Sequence, residues 1–301
     1  MQQLPNNEVY GDYVCTKLIG GNAEGAVYKA HHKDDENSEY AVRVLQFPVE
    51  KLDKDTINEC NDHMTIVKSV TAPHAVPVVA YGNSDHEYYI VMPYVEGKSL
   101  RHLIKRTDRQ PESMPSFGEI LTFTQTLVEA LEAIHTTGLT HGAIEPRNIL
   151  IDASQGIHLN DFGLSKLTKI VFSLANTGSF WTGKYTAPEV WDGERNTPSS
   201  DQYSLACVMY LLITGRAPFR AKTIFEMMEQ HQNAIITPPH YIRRDAPSSL
   251  LMFFLTATAK RPAERFRSLS ELQEEFALCI KGLETEPTHF FNYDVPEDVE
   301  S

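Results

Sequence analysis

The sequence predicts an α+β chain in which a strand-rich first part is followed by a mainly helical second part. Two observations carry this reading. Short β-branched and aromatic runs separated by turn residues fill the chain up to about residue 95, and apolar residues at three- and four-residue spacing take over after Gly97. With 301 residues, 42% of them hydrophobic, there is material for one large or two modest cores.

In chain order, residues 13–19, 25–31, 40–46, 76–80 and 88–92 read as strands, and one helix interrupts them over 56–70. The charge run at 34–39 reads as a solvated hairpin turn. A boundary is expected at Glu96-Gly97. Beyond it, Ile120, Phe123, Leu127, Leu131 and Ile134 fall on one helical face, and 203–214 and 269–280 repeat that spacing. The resulting organisation is an extension over 1–12, a first lobe over 13–95, a second over 96–282, and an acidic, Pro-containing tail over 283–301 that reads as a flexible extension.

Charge and cysteine content exclude several classes. Against 27 basic residues stand 40 acidic ones, a formal charge of -13, which argues against nucleic acid or an anionic membrane surface as the main partner. Cys15, Cys60, Cys207 and Cys279 form no CxxC pair, so neither a zinc site nor a disulfide framework is expected, and the thiols should be reduced and mostly buried. The N-terminus lacks the basic start and apolar run of a signal peptide, and no apolar stretch reaches membrane-spanning length. A soluble, cytoplasmic domain without membrane insertion is the expectation.

Several short motifs then occur in one order. They are Ile19-Gly20-Gly21-Asn22-Ala23-Glu24-Gly25-Ala26-Val27, Tyr40-Ala41-Val42-Arg43, and Met92-Pro93-Tyr94-Val95-Glu96-Gly97. His141-Gly142-Ala143-Ile144-Glu145-Pro146-Arg147-Asn148-Ile149-Leu150 follows, then Asp161-Phe162-Gly163 and Ala187-Pro188-Glu189. Farther on come Ser200-Asp201-Gln202-Tyr203-Ser204-Leu205 and Arg261-Pro262-Ala263-Glu264-Arg265-Phe266. Each alone is weak. Together they resemble a Ser/Thr protein kinase of the bacterial, eukaryotic-like type, over roughly residues 13–280. The resemblance implies a two-lobed protein-kinase-like fold with a β-rich N-lobe and a mainly helical C-lobe.

It also implies in-line phosphoryl transfer from ATP with Mg2+, which needs a phosphate-binding Lys, metal ligands and a carboxylate that accepts the substrate hydroxyl proton. Here the motifs are degraded. Ala143 stands where the family has the catalytic Asp, and its methyl group accepts no proton; a general base contributes about 100- to 10,000-fold. Glu145 stands where such kinases keep a Lys; it is either a displaced base or a surface charge that would repel the phosphate. Arg43 replaces the strand Lys, and its planar guanidinium is no substitute for a point charge. The partnering helix Glu falls on His63, with Val67 one turn later. Arg43 therefore reaches for Glu59 or Asp62, snorkels to solvent, pairs with Asp161, or contacts nucleotide.

Gly20 and Gly25 remain in the glycine-rich loop, while Asn22 replaces its middle glycine. Asn148 and Asp161 match the family's magnesium ligands, oxygen donors suited to a hard cation; alternatively Asn148 braces its loop and Asp161 caps the following turn. Val27, Ala41 and Leu150 match the positions that sandwich adenine, with Met92 as gatekeeper and Val95 at the hinge, although all five are apolar core positions in any case. Gly142 replaces the Arg that would pair with a phosphorylated activation segment, in which Ser173, Thr177, Ser179 and Thr182 are candidate phosphosites. Glu189 and Arg265 match a buried ion pair, and Val67, Val78, His141 and Phe162 match stacked side chains of the family. The expected function is that of a pseudokinase: a regulatory or scaffolding module, responsive to nucleotide, with a protein partner such as an active kinase. The alternative is a weakly active or atypical ATP-dependent transferase.

Overall fold

A computed structural model describes residues 8–22, 25–46, 54–83, 87–107, 114–168 and 183–283. The expected phosphosites 173, 177, 179 and 182, the loop residues Ala23 and Glu24, and the tail from 284 lie outside the described residues, as does the side chain of Asn22. The described residues divide into two compact units. One draws on Met1–Val95, Ala130–Ala143 and Asn160–Thr182, the other on Glu96–Glu129, Ile144–Leu159 and Gly183–Ser301.

The first unit holds β1 (Val9–Tyr10), β2 (Tyr13–Asn22), β3 (Gly25–His32), β4 (Asp35–Gln46), α1 (Lys54–Ser69), β5 (Ala80–Asn83) and β6 (Glu87–Pro93). The strands form one antiparallel sheet in the order β1-β2-β3-β4-β6-β5. Alternation along β3 and β4 sends Tyr28, Ala30, Val42 and Val44 to one face, where they pack with Tyr10, Cys15 and Val91. Helix α1 buries Cys60, Met64 and Val67, the i, i+4, i+7 set of one helical stripe. Its polar side meets the sheet as well, because the Tyr88 hydroxyl donates to Asn61 Oδ1 at 3.0 Å and the Tyr81 hydroxyl lies 2.7 Å from Thr65 Oγ1.

Two local expectations are corrected. The run 76–80 is not a strand: Val76 and Val78 are buried, but the strand begins only at Ala80. Pro77 has no N–H to give a ladder, and short of Ala80 the run joins β6 through the Val79 N–H, which donates to the Val91 carbonyl at 2.9 Å. The charge run 34–39 is a turn only at its start. The hairpin closes through Lys33 and Asp34, His32 pairs with Asp35, and the remaining charged residues form the exposed beginning of β4.

The second unit begins with a three-stranded antiparallel sheet that periodicity does not suggest, β7 (Gly97–Ser99), β8 (Ile149–Asp152) and β9 (Ile157–Leu159), in that order. Its helices follow as α2 (Leu100–Thr107), the part of α3 (Phe117–Thr136) up to residue 129, α4 (Pro188–Trp191), α5 (Pro198–Thr214), α6 (Ile224–Asn233), α7 (Leu250–Ala257) and α8 (Leu269–Cys279). Helix α5 is buried on nearly every side, which its lack of a polar face requires. A Thr197–Ser200 capping box starts it and Gly215, at φ +69°, ends it. All four cysteines are free, and burial pushes the Cys15 and Cys207 thiols up to about 12, which leaves both unreactive at neutral pH. Among the described residues no helix is long and apolar enough to cross a membrane.

Glu189 on α4 is buried and meets Arg265 through two parallel bonds of 2.7 Å, Nη1 to Oε1 and Nη2 to Oε2. Arg265 also donates to the carbonyls of Ala259 and Ser199, and its guanidinium lies over the Tyr203 ring. Arg265→Ala leaves the carboxylate buried and unpaired. It is expected to lower unfolding free energy by about 3–5 kcal/mol, read from the urea midpoint at constant m-value; a loss below about 1 kcal/mol would mean that Glu189 finds another partner.

His231 on α6 is fully buried against Phe219, with Nδ1 2.8 Å from the Tyr203 hydroxyl. Burial first, then the charge of Lys260, push it down from 6.5 to about 3. The unfolded chain takes up this proton near pH 6.5 and the folded chain only near pH 3, so stability falls as pH drops through that window. His231→Gln is expected to flatten the acid limb of stability against pH, by about 2 kcal/mol at pH 5. An unchanged limb would show that His231 is already protonated in the native state.

Candidate functional site

Strand register assembles one part of the site. Val27 pairs with Arg43, Arg43 with Ile90, and Ala41 with Met92. Directly paired residues share a face, as do residues two apart on a strand, so Val27, Ala41, Arg43 and Met92 lie together on the face opposite Tyr28 and Val42. Gly20 pairs with Val27 on the neighbouring strand and has room for a side chain. Gly25 has none: a Cβ there would stand 1.9 Å from the Val44 carbonyl oxygen. Val95 is half-buried at the end of this unit. Asn148 and Leu150 belong to the other unit, the first buried in a short 3-10 turn and the second on β8 opposite Ser99 and His158.

Arg43 selects one of its open alternatives. It is bonded through Nη2 to Asp161 Oδ2, with only 20% of the Arg43 side chain and 7% of the Asp161 side chain exposed. Asp62 is exposed and Glu59 pairs instead with Lys166 at 2.7 Å, so neither replaces the missing helix carboxylate. His63, where that carboxylate was expected, lies 2.7 Å from the Gly163 carbonyl oxygen through Nε2, the nitrogen that must therefore carry the proton and donate. Gly163 sits at φ +73°, and a Cβ on it would come within 2.7 Å of Val67. Asp161 is also in the left-handed region, at φ +66°, where Asp is tolerated better than most residues. Two α1 side chains, His63 and Val67, thus meet the turn that begins with Asp161, and a third, Glu59, reaches Lys166 just beyond it.

The loop before it is fixed by His141, fully buried, whose Nε2 lies 3.0 Å from the Asn160 carbonyl while Nδ1 accepts from the Ala143 N–H at 3.2 Å. One tautomer serves both bonds, with the proton on Nε2. Val67, Val78 and Phe162 are buried as well. Ala143 is half-buried and presents only its methyl group. Glu145, in the other unit, is bonded to Arg147 Nε, so the loop supplies its own counter-charge. Nearby Tyr185 is pushed well above the usual phenol range, by burial first and by the Glu145 charge second, and so is no substitute base.

As a metal ligand Asp161 gives a divided answer. Its Oδ1 is buried without a hydrogen-bond partner, which suits a ligand oxygen, but Oδ2 is already held by a cation. Among the described residues no group of three or more His, Cys, Asp or Glu gathers to hold a metal. While the Arg43–Asp161 pair is closed, the donors of this unit do not fit a divalent ion.

A model of the protein kinase domain matches residues 13–277. The chain belongs to the protein kinase family. Within that family it is 30% identical over 268 residues to the serine/threonine-protein kinase PknH of Mycobacterium bovis, covering 88% of this chain and 43% of the relative. It is 28% identical over 272 residues to the serine/threonine-protein kinase PrkC of Bacillus subtilis, covering 90% and 41%. The chain thus spans less than half the length of these curated relatives. Among solved structures it resembles the PknI kinase domain of Mycobacterium tuberculosis, with a TM-score of 0.72, 26% identity, and coverage of 92% of this chain and 98% of that one. The fold is that of a protein kinase, with the β-rich sheet as its N-lobe and the helical unit as its C-lobe.

The role of α1 can be measured. His63→Leu removes the side-chain donor that the Gly163 carbonyl accepts from and is expected to cost about 1–2 kcal/mol, seen as a lowered thermal midpoint. Glu59→Gln, at an exposed ion pair, is expected to cost about 1 kcal/mol or less. Equal losses at the two positions would contradict the assignment of His63 as the main anchor.

Proposed function

We propose that this domain is a catalytically impaired protein kinase, a pseudokinase, that regulates or scaffolds a protein partner such as an active kinase and responds to nucleotide. The observation that carries the proposal is Ala143: the position that should accept the substrate proton bears a methyl group. Two further residues argue against rescue. The Glu145 carboxylate is engaged by Arg147, and the Arg43 guanidinium by Asp161.

The family as a whole takes ATP and Mg2+. Gly20, Gly25, Val27, Ala41, Arg43, Met92, Val95 and Leu150 are the residues proposed to correspond to the family's nucleotide-binding positions, and Asn148 and Asp161 those that correspond to its metal ligands. The proposed organisation is lobes over 13–95 and 96–282 with extensions at either end, in the cytoplasm.

The test is phosphoryl transfer from labelled ATP, with Mg2+ or Mn2+, to the chain itself and to a basic protein substrate. Incorporation is expected to equal that of the Asp161→Asn variant. Transfer that this variant abolishes would overturn the pseudokinase reading and establish the weak or atypical transferase. In the same preparation ATP is expected to raise the thermal midpoint, since a ligand that binds only the folded state stabilises it; no rise at saturating ATP would remove nucleotide from the proposal and leave the protein-binding surface.

A further inference from the structure

The Arg43–Asp161 pair uses one terminal guanidinium nitrogen and one carboxylate oxygen. What it leaves unused points to its role. Arg43 Nε and Asp161 Oδ1 are both buried, and neither has a hydrogen-bond partner among the described residues. A buried ion pair is stable when its remaining donors and acceptors are satisfied, as those of Glu189 and Arg265 are. Here one donor and one acceptor are left over in the same place.

Two kinds of ligand could be drawn to such a pair. A divalent ion could take Asp161 Oδ1, but it would then lie a few ångströms from a guanidinium that is charged at every physiological pH, and the two positive charges repel. An anion such as a phosphate meets no such repulsion: the guanidinium carries five N–H donors, the carboxylate engages it through Nη2, and a fifth of the side chain is exposed to receive a ligand. The surrounding contacts favour the second arrangement. His63 is committed to Gly163 and Glu59 to Lys166, so neither of these α1 contacts draws Arg43 away from Asp161.

We infer that Arg43 is the resident counter-cation of Asp161, that it shuts divalent metal out of this position, and that the site takes phosphate as the metal-free anion. The inference rests on the kinase-family placement of Asp161 at the metal position, and not on the absence of phosphoryl transfer.

The experiment uses the full 301-residue chain and the metal alone. Thermal unfolding is recorded with Mg2+ or Mn2+ against EDTA, without nucleotide, and Mn2+ binding is counted by electron paramagnetic resonance. The wild type is expected to show no midpoint shift and no bound Mn2+ beyond that of Asp161→Asn. Arg43→Met is expected to gain a metal-dependent rise of about 3–5 °C, which Arg43→Met combined with Asp161→Asn loses. If Arg43→Met does not fold, Arg43→Gln removes the charge at similar length and takes its place. Metal binding by the wild type that depends on Asp161 overturns the inference, and so does failure of both uncharged variants to gain it. A separate arm with ATP in EDTA is expected to shift the wild type at least as far as ATP with Mg2+, and a shift seen only with Mg2+ overturns the metal-free mode. If ATP gives no shift in either condition while the metal arms behave as expected, nucleotide leaves both proposals and Arg43 remains the residue that excludes metal.

Discussion

The buried pair of Glu189 and Arg265 is the interaction on which the helical unit rests. A carboxylate and a guanidinium cannot be taken out of water cheaply, and this pair answers the cost by leaving nothing undone. Both carboxylate oxygens accept, the donors are shared among Glu189 and nearby carbonyls, and the cation lies against an aromatic face. Arg43 and Asp161 have the same chemistry in the other unit, with the opposite result: one contact is made, and a donor and an acceptor remain. The first pair braces α4 and the loop that follows α7. The second ties the Asp-Phe-Gly turn to β4.

The departures from the family pattern are linked to one another. With His63 where a helix carboxylate was expected, Arg43 has no anion on α1 and turns to Asp161. His63 in turn bonds the backbone of the same Asp-Phe-Gly turn, so the helix is still tied to it, by a hydrogen bond to a carbonyl instead of an ion pair. At the catalytic loop, Glu145 introduces a negative charge and Arg147 neutralises it two residues later. A site that had merely decayed would leave such charges without answers. Here each of these charges is answered by a neighbour within its own unit.

Much of the fold and the site is legible in the sequence, and the exceptions have physical causes. Motif order identifies the kinase fold because each motif fixes a different part of the chain, and strand register then puts Val27, Ala41 and Arg43 of two of those motifs on one face of the sheet. The strand at 76–80 begins late, at Ala80, because an apolar run also marks residues such as Val76 and Val78 that are buried ahead of the ladder, and Pro77 is the warning. The small sheet of β7, β8 and β9 escapes notice because three- and four-residue strands carry too few positions for a period. Arg43 has several equally good partners on paper; only burial and reach separate Asp161 from Glu59. The partner of His63 is beyond reading, since a backbone carbonyl has no sequence signature.

A retained motif residue is therefore weak evidence for retained chemistry, and each has to be asked what else would keep it. Gly25 is needed because any side chain would strike the Val44 carbonyl, and Gly163 because of its left-handed backbone and the proximity of Val67. Those demands come from the fold and would persist in a domain that never met ATP. Asp161 differs. Its backbone is in a region where glycine would be less strained, and its carboxylate is buried with one oxygen unpaired, so on local grounds it is a costly choice twice over. Arg43 is the group that uses its charge, and without that carboxylate the guanidinium would itself be left largely buried and unanswered. In this structure the charge of Asp161 is answered by Arg43, and that role does not itself require phosphoryl transfer.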